Sequence, residues 1–167
     1  IRGRGDFLNQ GNLKLIEELQ SYIKAEIPEV QKSVSLADLI KKTNYLAEEG
    51  DDLETYKELE IYSLPDTDEA IAFCLTYPVD LANADQEKYI ASVSNIADLS
   101  NMWSDEMSIN ESLVLAQMKT VSTDRASEIA DIVNSKIDSM VKGQDLVFET
   151  TGLLIFLKDF VSMVVKS

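Results

Sequence analysis

The chain has 167 residues, enough for one domain with a substantial core, and its six glycines and three prolines are few, which favours long helices over a turn-rich β fold. It has no histidine and a single cysteine, Cys74, which excludes an internal disulfide, a structural zinc site and any Ser-His or Cys-His nucleophile. The formal charge of −15 is segregated: residues 1–47 carry net +1, residues 48–111 net −15 and residues 112–167 net −1.

Residues 1–12 hold three of the six glycines and two arginines, and read as a flexible N-terminal arm. The tripeptide Arg4-Gly5-Asp6 within them is too short a match to carry a function. Helix one is expected from Leu13 to about Ala25, with Asn12 as N-cap and Leu13, Ile16, Leu19 (or Gln20) and Ile23 on one face. Pro28 closes it. Ser35 precedes a second helix, Leu36 to about Glu48, with a stripe of Leu36, Leu39, Ile40, Thr43, Leu46 and Ala47 and with Gly50 at its end. A third helix would start at Asp51-Asp52 and stop at Leu64-Pro65. Asp66 would then cap a short helix, Thr67 to Thr76, that buries Ala70, Ile71, Phe73, Cys74 and Leu75. Cys74 reads as a small core residue rather than a reactive thiol.

Residues 79–84 form a connection, and a longer helix is expected from about Asp85 to Trp103, with Tyr89, Val93, Ile96, Ser100 and Trp103 aligned. Ser108 and Glu111 have capping-box spacing and predict a helix to about Thr120. Asn110-Glu111-Ser112 also spells a glycosylation sequon, but capping is the preferred reading. The most regular amphipathic pattern starts at Thr123 or Asp124 and runs through Ala126, Ile129, Ala130, Val133, Ile137, Met140 and Val141 to a stop at Gly143.

The final stretch, Leu146 to Val165, is the most apolar: thirteen of its twenty residues. A membrane span takes roughly 20 predominantly apolar residues with few or no charges. Glu149, Lys158 and Asp159, with Thr150, Thr151 and Gly152, argue against one. The expected fold is therefore all-α: a single compact domain over residues 13–167, a bundle of six or seven helices around a buried apolar C-terminal helix.

The acid-rich run Glu48 to Glu69 holds ten acids and one lysine. Its acids do not follow the alternating frame of an EF-hand, and acids at helix starts are explained by capping and the helix dipole. There is no P-loop and no dinucleotide glycine motif, so no cofactor and no metal is expected. The acidic excess argues against direct binding to nucleic acid, which takes clustered Lys and Arg, and suits a basic protein partner drawn by long-range attraction. The reading is a soluble, non-catalytic protein–protein interaction module: an assembly chaperone, adaptor or inhibitor, phage and viral versions included, or an acidic mimic of nucleic acid. Glu48, Glu49, Asp51, Asp52, Glu54, Glu58, Asp66, Asp68 and Glu69 would meet the partner. The compartment would be the cytoplasm, or the host's for a viral protein, and a homo-oligomer stays open. Two other classes remain: a helical bundle that inserts into membrane conditionally, and a hydrolase that works with carboxylates alone.

Overall fold

The computed structural model describes residues 1–49, 62–76, 97–98, 101 and 107–152. They form a mixed α/β fold of four helices and two small antiparallel sheets, not the expected all-α bundle. The helices are α1 (Gln10–Glu26), α2 (Leu36–Glu49), α3 (Asp68–Thr76) and α4 (Thr123–Met140). The strands are β1 (Arg2–Arg4), β2 (Val30–Val34), β3 (Glu111–Leu113), β4 (Leu115–Met118) and β5 (Val147–Glu149). The first sheet has the order β3-β1-β5 and the second pairs β2 with β4.

Residues 1–12, expected as an arm, supply the central strand of the first sheet and the start of α1. Arg2 pairs with Leu113 on one side and Glu149 on the other, and Arg4 with Glu111 and Val147. The ladder continues beyond β1, where the amides of Gly5 and Phe7 donate to Asn110 O at 3.0 Å and Ile109 O at 2.9 Å. Side chains alternate across a strand, so Arg2 and Arg4 point outward to Glu111 and Glu149 while Gly3 faces the core. A Cβ on Gly3 would lie 2.5 Å from Phe148 Cε1 and 2.8 Å from Phe7 Cζ. The two rings meet tilted over it, centroids 6.3 Å apart.

The helix expected over 108–120 is two strands. Glu111 does not turn back to cap Ser108; its carboxylate binds Arg2 and Arg4. Ser112 and Val114 are buried at a spacing of two, as a half-covered strand requires. Short apolar runs such as Leu113–Met118 do not separate strand from helix by themselves. Within the helix expected over 85–103, Ala97 and Asn101 instead form antiparallel bridges with Ser112 and Ser108. The terminal stretch likewise opens as strand, β5, with Leu146 and Phe148 buried. The rest of it, the helix expected after Asp51, the connection at 79–84 and most of the 85–103 helix lie outside the described residues.

Four helix expectations hold. In α1, Leu13, Ile16, Leu19, Gln20 and Ile23 are buried, but the cap is Asn9, whose side chain accepts from the Asn12 amide at 3.2 Å. Pro28 holds Ile27 extended (φ −119°, ψ 91°) and ends the helix. In α2, the Ser35 amide donates to Asp38 Oδ2 at 3.0 Å. Thr67 rather than Asp66 caps α3, taking the Ala70 amide at 3.2 Å. Ile71, Cys74 and Leu75 are buried in it, and Phe73 is half-exposed. Ser122 caps α4, and Gly143, at φ 82°, supplies the left-handed residue beyond its end.

One core joins these elements: the α1 stripe, Leu36 and Ile40 of α2, the α3 residues, Ile129, Val133 and Ile137 of α4, and Phe7, Ile109 and Phe148 around the first sheet. A polar knot fastens α1 to the start of α2. Buried Gln20 donates to Asp38 Oδ2 at 2.6 Å and Ser33 Oγ at 3.0 Å, and accepts from Ser35 Oγ at 2.8 Å.

Gly3→Ala forces a methyl against both rings and is expected to destabilise the fold by about 1–3 kcal/mol, the usual cost of overpacking. Ile16→Ala empties a fully buried site and is expected to cost about 2–5 kcal/mol. Urea denaturation with the two variants beside the parent checks both values.

Candidate functional site

The nine acids expected to face a partner are not gathered into one described site. Asp51, Asp52, Glu54 and Glu58 lie outside the described residues, as do the side chains of Glu48 and Glu49. Asp66, Asp68 and Glu69 are all exposed. Asp68 serves the fold, since its carboxylate accepts the Gln10 amide at 2.8 Å and Asn9 Nδ2 at 3.5 Å. It thus sits in the first turn of α3 and against the first turn of α1, where a negative charge is favoured by both dipoles. Glu48 and Glu49 are the opposite case. They are the last two residues of α2, whose last turn has no basic residue. Acids at that end oppose the dipole.

Five of the described cations, Arg2, Arg4, Lys41, Arg125 and Lys136, are held by neighbouring carboxylates. Arg125 lies 2.7 Å from Glu29 and 2.8 Å from Glu128. Lys136 lies 2.6 Å from Glu18 and over the Tyr22 ring, and Lys41 lies 2.7 Å from Glu17 and over the Tyr62 ring. The hydrogen bond from Arg125, then the backbone around Glu29 and the Arg125 charge, hold the Glu29 carboxyl below its ordinary range. The Arg125 guanidinium is raised by the same hydrogen bond and by Glu128.

Two concavities stand out. One is a shallow hollow on the outer side of α1 and α4, lined by Tyr22, Asp124, Ser127, Glu128, Asp131, Ile132 and Ser135. Its carboxylates follow one another along a single helix face. The other is an apolar groove of about 560 Å3. Ile23 and Ile27 of α1 and Ile129, Ala130 and Val133 of α4 form its floor; β4 forms one wall, and Thr150 to Gly152, just past β5, the other. Thr150 Oγ1 donates to Asn134 Oδ1 of α4 at 2.9 Å and fixes that wall. No carboxylate or thiol lines the groove among the described residues, and the charged side chain that lines it is Lys119.

Among the described residues no group of three or more Asp, Glu or Cys is placed to hold a metal. No helix among them is long and apolar enough to cross a membrane. The groove is hidden in the sequence because the residues of its β4 wall have a spacing that also suits a helix. The signal that could have revealed it is the alternation at Ser112 and Val114, weak because one of the two is polar.

Comparison with known protein families, with curated proteins and with solved structures gave no match.

A depressed carboxyl pKa stabilises the fold above the ordinary carboxylate range and loses that contribution as pH falls through the folded value. Thermal unfolding of the parent should therefore weaken on acidification below about pH 4 more steeply than that of Glu29→Gln. Asp68→Ala removes the acceptor at the start of α1 and is expected to cost about 1 kcal/mol, as a lost cap does, measurable by the same denaturation.

Proposed function

We propose that this protein is a non-catalytic interaction module whose acidic middle third, residues 48–111, engages a basic protein partner. The observation that carries the reading is the charge layout: the full formal charge of −15 falls within that third. The structure adds a physical reason to treat some of it as functional. Asp68 is explained by the fold, because it holds the start of α1. Glu48 and Glu49 end α2, where a negative charge opposes the helix dipole. Lys41, Arg125 and Lys136 turn to carboxylates outside the middle third, and Arg2 and Arg4 take Glu111 within it; the rest of the acidic excess is read as acting outward. A field of this sign accelerates the approach of a basic surface and repels nucleic acid. The role is that of an assembly chaperone, adaptor or inhibitor in the cytoplasm.

The test is capture from native lysate by the whole protein, beside a variant with Glu48, Glu49, Asp51, Asp52, Glu54 and Glu58 changed to Gln or Asn. Basic proteins held by the parent are expected to be lost from the variant, and lost from the parent as salt is raised, because exposed charges are screened beyond about 8–10 Å. Retention of the same proteins by the variant contradicts the reading.

A further inference from the structure

We propose that the groove between α1, β4 and α4 is a binding site for a single-chain anionic amphiphile, a fatty acid, with its chain along the apolar floor and its carboxylate at Lys119. The floor is preformed. Ile23, Ile27, Ile129 and Val133 belong to the core and are at most 5 % exposed, so their positions are set by packing and not by a ligand. A volume of about 560 Å3 falls in the range of small-molecule sites, which are mostly apolar with a few placed polar groups. Here the polar groups sit at the rim: Lys119, Thr120, Thr150 and Thr151.

The rim sets the sign of the ligand's head. Lys119 follows β4 directly, and its amide donates to Glu29 O at 3.0 Å, so the backbone fixes where the side chain starts. The neighbouring carboxylate, Glu29, is already engaged by two hydrogen bonds from Arg125, at 2.7 and 3.1 Å. Among the described residues Lys119 forms no ion pair within 4.0 Å; it is exposed, and its charge acts on Glu29 only at longer range. An ammonium among the residues lining an apolar trough, with no carboxylate lining that trough, matches an acid head and an alkyl chain. It does not match a basic peptide, which makes this site distinct from the acidic middle third.

Isothermal titration of the whole protein with monomeric decanoate, dodecanoate and dodecanol tests this. Dodecanoate is expected to bind saturably at one site and about tenfold tighter than decanoate, since each buried methylene strengthens binding roughly three- to fourfold. Lys119→Glu should weaken dodecanoate at least tenfold and leave dodecanol unchanged. Ala116→Trp, at an exposed position on the groove wall, should abolish binding of both while the unfolding temperature holds. Absence of saturable binding, equal affinity in Lys119→Glu, or unaltered binding in Ala116→Trp would overturn the proposal. So would association with phosphatidylcholine vesicles without binding of the monomeric acid.

Discussion

The fold depends on the place of Gly3 beneath two rings. Phe7 and Phe148 close over a strand position that has no side chain, and the strand can lie in the middle of its sheet only because nothing projects there. From that position β1 pairs with β3 on one side and β5 on the other. Segments more than a hundred residues away in the chain are thus brought to its two edges. Since α4 runs between β4 and β5 in the chain, fixing both sheets' ends also fixes where α4 lies against α1. The outward side of the same strand is polar: Arg2 and Arg4 reach Glu111 and Glu149 at exposed or half-exposed positions. Exposed pairs of this kind contribute little stability. Their service is to register, since a slip of one residue would turn both arginines into the core.

α1 is the second support. Its apolar stripe is buried along its length, and the one polar member, Gln20, is satisfied on every side by Ser33, Ser35 and Asp38. An unsatisfied amide at that depth would cost about 1–3 kcal/mol. The knot therefore specifies how β2 turns into α2 against α1. The apolar groove is a consequence of this frame: α1 and α4 supply its floor from core residues, and β4 and the residues just past β5 supply its walls.

The helices with strong period are legible in the sequence. Spacing alone locates those around Ile16, Ile40, Ile71 and Ile129, and even places Gln20 on the correct face. The caps of α1 and α3 are displaced by a residue or more because Asn9 and Thr67 are of the same chemical type as their neighbours, whereas α4 starts at Thr123 as expected. The strands are hidden for reasons that can be named. In β1 the inward residue is a glycine, so Arg2-Gly3-Arg4 shows no apolar alternation. In β3 the inward residue is Ser112, and Ser108 with Glu111 imitates a capping box until Arg2 and Arg4 claim the glutamate. Of the acids expected at an interface, Asp68 serves the fold, which cannot be seen without knowing that α1 begins beside α3.

Two features of opposite character follow: an acidic middle third of the sequence, and an apolar groove with a lysine among its lining residues. The groove is defined relative to a frame that hangs on β1. Amide hydrogen exchange at Gly5 and Phe7 tests that frame most directly. Their amides donate to Asn110 and Ile109 across the sheet, so they should exchange as slowly as Ile16 in the buried face of α1. Exchange at the rate of an unstructured peptide would mean that the N-terminal residues are a free arm, and the account of the fold would fail.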